Sequence, residues 1–325
     1  YTVVSVPYSS LSARMTQDSD ERGALAVHRM VFASIAGIVI AAFTRDGAAL
    51  LGDGDLKLGF QRVAIAYAVI GMIAVLVCVL NTRERPELEA TDETSDIKSI
   101  LHMLSKNSAF WTAFSIILFG MIGATISSKA VLYYLKYNLD AEYLTGLTLL
   151  LVAVTILIAV PLWGMASSRI GKRWVWTCGI SISAIATLSL WLNPFEVPQV
   201  VLPILAFGAV GSAANYFSTW STLPDTVEYG QWKTGVRSES VVFGAIAFAQ
   251  KLALGVATLI AGLLLDGFGY QANTEQTETA LTGLKLMISL IPFSMALICL
   301  VIVQNYRLDQ SMHAKIKAEI AARPK

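Results

Sequence analysis

Six stretches of this chain, 63–82, 107–128, 143–168, 174–195, 197–224 and 286–306, contain no charged residue. Each approaches or exceeds the about 20 residues that an α-helix needs to cross a bilayer. Two weaker stretches join them. Residues 30–44 are short but flanked by His28 and Arg29, which can snorkel, and 240–265 is interrupted only by Lys251. Charged residues make up 14% of the chain, against about 25% in soluble domains, so the chain reads as an all-α polytopic membrane protein. A membrane β-barrel would instead show alternating segments of about ten residues. The opening YTVVSVPYSSLSA is apolar from its first residue, and the expectation is that it starts inside a span.

The runs place spans at 1–12 (partial), 28–44, 60–81, 108–134, 143–166, 174–194, 198–220, 239–265 and 285–305. Alternate connections then fall on opposite sides of the membrane. One side collects seventeen of the 24 Lys and Arg, the other only four. Basic connections stay in the cytoplasm, so the chain is expected in an inner membrane with its C-terminus in the cytoplasm. By the same bookkeeping the 23 Asp and Glu fall in connections or tail, with Glu239 at the first residue of its span, and no span holds a carboxylate in its interior. Lys251 therefore stands in an apolar segment with no acidic partner in any span.

The longest polar interruption, 82–106, opens with the charged cluster TRERPELEA. It ends in a helical pattern with Ile97, Ile100, Leu101 and Leu104 on one face. Read as a cytoplasmic linker, it separates residues 1–81, the remainder of an N-terminal bundle, from a six-span bundle over 107–306. A tail occupies 307–325, where Leu308, Met312, Ile316 and Ile320 recur every fourth residue. That spacing fits either an amphipathic helix on the inner membrane face or a solvated helix. Three spans before the linker and six after it imply a matched pair of bundles, the first short of three.

Two stretches carry a family resemblance. PDTVEYGQWKTGVRSE at 224–239, followed by FAQK at 248–251, resembles the sugar–cation symporters related to melibiose permease. These are the glycoside–pentoside–hexuronide group of the major facilitator superfamily. Residues 1–37 resemble the fourth and fifth helices of that group. GMASSRIGKR at 164–173 is similar to the superfamily's loop motif, with Ser168 where an acid is usual. The resemblance implies a major facilitator fold of two helical bundles around a site at mid-membrane. The spans here would be helices four to twelve, the first three being absent.

It also implies which residues meet the ligands. The matching lysine of the family faces the central cavity, which gives Lys251 a substrate-binding and coupling role; a buried polar plug is the structural alternative. The helix-four position that carries Asp in melibiose permease is Ser5 here. Tyr1, Thr2, Ser5 and Ser9 give that helix a stripe of hydroxyls suited to a sugar, or small residues for close helix packing. Ser9 stands where melibiose permease has tryptophan. Tyr216 matches a cavity-lining aromatic, although aromatics near span ends also serve as interfacial anchors. Asp225, Glu228 and Arg237 match charges that pair across the bundles as a cytoplasmic gate, or form a solvated loop.

The expected function is secondary active transport of a sugar or glycoside with a co-transported H⁺ or Na⁺, the two bundles rocking about the site. A lysolipid or other amphiphile carrier of the same fold is the rival, and the hydroxyl stripe counts against it. An inactive fragment is the other. No phosphate-binding loop, HExxH or cysteine spacing for a metal occurs, so no enzyme, metal, organic cofactor or nucleic-acid partner is expected. Membrane lipid, the sugar and a monovalent cation are the expected partners.

Overall fold

A computed structural model describes residues 8, 9, 11, 15, 16, 18–82, 97–306, 308 and 310–322. Among them, eight helices are long and apolar enough to cross a membrane, and the chain is an integral, multi-pass protein. They follow the expected order from the second span onward; the first span lies largely outside the described residues. The first helical pair is α1, Ser19–Leu51, and α2, Leu56–Asn81. The turn between them is capped by Asp55, whose side chain accepts from Lys57 and Leu58 N–H. Helix α3, Ile97–Lys106, precedes the larger bundle. That bundle comprises α4 (Ser108–Tyr133), α5 (Thr145–Ile170), α6 (Lys172–Leu192), α7 (Pro198–Thr234), α8 (Glu239–Gly267), α9 (Glu278–Ile288) and α10 (Leu290–Val303). The tail forms α11, Gln310–Ala321.

Two features of the spans depart from the apolar runs. Helix α7 does not stop near Trp220 but continues to Thr234, and so contains Asp225 and Glu228. Helix α1 likewise begins before its apolar run and includes Glu21 and Arg22. The expectation that no span holds a carboxylate is corrected: helical hydrogen bonding continues past the apolar stretch wherever the charged turns find partners. The last span is broken at Ser289, with φ −121° and ψ −80°. Pro292 lies four residues after Ile288, where its ring would clash with the Ile288 carbonyl of a continuous helix.

Packing sets the site. Helix α8 lies on α4 through Ala253, Ala257 and Ala261, which meet Ile122, Ile126 and Ala130. Helices α6 and α7 cross closely at paired glycines. A Cβ on Gly211 would lie 2.5 Å from the Gly179 carbonyl and 2.7 Å from the Ser183 nitrogen. Both obstacles are backbone atoms and cannot yield. Gly211→Val should therefore lower stability by about 1–3 kcal/mol, the usual cost of overpacking. A melting curve of the purified protein checks this, with Gly244→Val, where nothing lies within 4 Å of the added Cβ, as the neutral control.

The α1–α2 pair meets the larger bundle through α1. Ala26 and Val27 pack with Trp163, Val175, Ala214 and Phe217, so α1 occupies the groove between α5 and α7.

Candidate functional site

A turn beyond the apolar part of α7, five ionisable side chains from four segments converge. Gly171 makes this possible. It is the single residue between α5 and α6, at φ +83°, a conformation strained for other residues. The tight reversal brings Lys172 to the first turn of α6, where its Nζ donates to Asp225 Oδ2 at 2.7 Å and to the Ser221 carbonyl at 2.7 Å. From α1, Arg22 Nη1 donates to the other Asp225 oxygen at 3.1 Å, while Nη2 donates to Glu228. Its Nε is held by the Thr16 carbonyl at 2.9 Å. From α11, His313 Nε2 meets Glu228 Oε2 and lies 3.6 Å from Asp225.

Arg22 is 1% exposed, Glu228 2% and Asp225 3%. Buried ions survive only in mutual compensation, and here a guanidinium and an ammonium oppose two carboxylates. The fork of Arg22 spans both acids, a geometry that lysine could not reproduce. Helices from the two halves are thus joined by a dry ion network at this end of the bundle.

Arg237, expected in the same group, forms its ion pair in the α7–α8 corner instead, with Glu239 at 2.6 Å, and donates to Gln231 at 3.0 Å. Glu239 lies two residues from Arg237 along the chain, so this ion pair is local to the corner. Arg22, Lys172 and His313 were missed as members. Arg22 lies in a polar connection by hydropathy, and nothing local marks it as the partner of residues 203 and 206 positions away.

Ser9 is buried, and its Oγ accepts from Arg29 Nη2 at 2.9 Å. The Arg29 guanidinium lies 3.6 Å from the Trp220 ring centroid and 5.1 Å from that of Tyr8. A cation over an aromatic face gains about 0.5–2 kcal/mol. Arg29, read as a snorkelling end residue, is instead inside α1 and ties residues 8–9 and α1 to α7. Tyr216, one turn before Trp220 on α7, is 48% exposed. Lys251 lies on α8 about 18 Å along the axis from Glu239, near the helix midpoint. It is exposed, on the face opposite Ala249, Ala253 and Ala257. Tyr1, Thr2 and Ser5 lie outside the described residues.

The tail is neither laid on the membrane nor solvated. Ile316 is fully buried and Leu308 nearly so, packed with Tyr306, Ala109, Tyr229 and Trp232. Met312 and Ile320 complete this face, and Trp232 Nε1 donates to Glu319 at 2.6 Å. The four-residue spacing was legible, but its partner is protein, because α7 carries Tyr229 and Trp232 past the membrane run. Ile316→Glu should unseat α11, since a buried carboxylate costs several kcal/mol. Limited proteolysis checks it: cleavage within 308–322 is expected at least about tenfold faster.

Compared with known proteins, residues 1–310 match the family described as MFS/sugar transport protein. The chain is 30% identical over its whole length to an uncharacterized symporter, YnaJ, of Bacillus subtilis, covering 71% of that protein. It is 26% identical to an isoprimeverose transporter of Lactiplantibacillus pentosus, with 99% of this chain and 68% of the other aligned. A glucuronide carrier protein homolog of Escherichia coli is 28% identical, with 100% and 71% covered.

Proposed function

Because the chain belongs to the MFS/sugar transport family and is a secondary active sugar transporter rather than an enzyme, we propose that it carries a sugar or glycoside together with a cation, H⁺ or Na⁺. It works by alternating access, with Asp225 and Glu228 as the switch. One observation supports this reading above the others: the buried network of Arg22, Lys172, Asp225 and Glu228 bridges the two halves at one end of α7. Such a network is stable only while dry. Parting of the halves hydrates every member, so closed and open forms are two distinct states. The chain's basic excess supports a cytoplasmic position for this end, in an inner membrane, and in that reading the form described is closed to the cytoplasm.

In this reading the sugar is met by Ser9, Tyr216 and Lys251, and the family resemblance adds Tyr1, Thr2 and Ser5 to the candidates. A hydroxyl-and-aromatic lining suits a polyol with an apolar ring face. Fixed positive charge at Lys251 and Arg29 favours a sugar acid over a neutral sugar, in keeping with the glucuronide in the name of one relative. The amphiphile reading has no comparable support.

Proteoliposomes holding the transporter decide the matter. Labelled glucuronide should accumulate above its external concentration under an imposed H⁺ or Na⁺ gradient, more than a neutral glycoside does. Absence of gradient-driven accumulation with both sugars under both gradients defeats the proposal.

A further inference from the structure

The contact between α6 and α7 carries a stripe of polar and small residues. On α6 it is Lys172, Trp176, Gly179 and Ser183, and on α7 it is Gly211, Asn215, Ser218, Thr222 and Asp225. Each set has the spacing of one helix face. Contacts at the crossing fix the register. A Cβ on Gly179 would collide with the Ala214 side chain and lie 3.2 Å from Asn215 Oδ1, and one on Gly211 would lie 2.5 Å from Ser183 Oγ. At the other end Lys172 pairs with Asp225. At 1.5 Å per residue the α7 stripe runs about 21 Å from this crossing to the ion network.

Four polar atoms along the stripe have no hydrogen-bond partner: Ser183 Oγ, Asn215 Oδ1, Trp176 Nε1 and Ser218 Oγ. Trp176 and Ser218 are fully buried, and all four atoms are enclosed so tightly that no water fits beside them. An enclosed donor or acceptor without a partner disfavours the packing that encloses it. Such groups are few in native proteins and call for a reason. Here they gather on one interface that leads to the gate.

The ion network favours the closed form strongly, whereas a carrier passes between two states of comparable free energy. Unmatched groups in the closed form act in the opposite sense, because any form that wets them removes the penalty. Helix α7 is able to bend for this purpose. Pro203 precedes the stripe and Pro224 falls in its last turn, and each leaves one helical carbonyl without its N–H.

On the reading of Asp225 and Glu228 as the switch, we propose that α7 also parts from α6 during transport, opening a wet cleft inside the larger bundle. Water then satisfies Ser183, Asn215, Trp176 and Ser218 in the open form only. The stripe thereby offsets the ion network, and neither state traps the carrier.

The test is a substitution that stabilises. Ser218→Ala and Ser183→Ala each delete an unmatched hydroxyl from the closed form but a hydrated one from the open form, so both should favour closure. Ser221→Cys, in a background lacking Cys78, Cys178 and Cys299, reports opening through its rate of labelling by a maleimide in the purified protein. That rate should fall about fivefold or more in each variant, the lower end for one unmatched buried group. The melting temperature should be no lower than that of the parent. Arg22→Ala in the same background is the reference and should raise the rate. If it does not, the gate reading and this inference fall together. If it does, an unchanged or faster rate in either folded serine variant overturns this inference alone, because hydroxyls unmatched in both forms leave the balance where it was.

Discussion

Arg22→Ala is expected to cut gradient-driven uptake by more than about tenfold and to leave the protein open at its α3–α11 end. The guanidinium neutralises two carboxylates that are almost wholly buried. Without it, among the described residues, Asp225 keeps Lys172 and His313 and Glu228 keeps His313. Removing one partner from a buried ion network costs about 3–5 kcal/mol. That penalty falls on the closed form alone, because in the open form water solvates the carboxylates. A bias of this size shifts a two-state balance by about two to three orders of magnitude. A carrier held in one state cannot cycle. A thiol at buried Ser221 on α7 reports the state: Ser221→Cys, in a background without Cys78, Cys178 and Cys299, should label rapidly with an impermeant maleimide once Arg22 is gone. Arg22→Lys restores the charge but not the fork, so its uptake should fall between the two. Uptake and labelling both unchanged in Arg22→Ala would remove the network from the mechanism.

Lys251→Ala should abolish accumulation while leaving the protein folded. Because Lys251 lies off the alanine face that packs on α4, its loss should leave the α8–α4 packing intact. Its charge near mid-membrane is expensive on insertion scales, about 2.5–3.5 kcal/mol, and is expected to serve ligands. The sharper readout compares substrates. If the lysine faces a sugar acid, Lys251→Ala should reduce glucuronide uptake far more than equilibration of a neutral glycoside, and Lys251→Arg should retain much of the first. Undiminished accumulation in Lys251→Ala would make this residue a structural feature of α8.

The span order was legible because lipid imposes one local requirement, an apolar surface about 20 residues long. Residues 143–168 and 174–195 satisfy it without any knowledge of neighbours, and they appear as α5 and α6. The resemblance over 224–251 marked Asp225 and Glu228 as worth attention before any contact was known. Arg237, marked with them, forms a local pair with Glu239 two residues away.

Charge pairing obeys a different rule. Coulomb attraction and desolvation depend on distance in space and on what excludes water, not on position along the chain. Hydropathy placed Arg22, Lys172 and His313 in three separate polar segments, and folding brought them onto the same two carboxylates of α7. The same holds for α11, whose apolar stripe was plain while its seat on Tyr229 and Trp232 was not. Which stretches cross the membrane could be read residue by residue from solubility in hydrocarbon. Which charges neutralise each other depended on the packing of α1, α6, α7 and α11 around a common dry point.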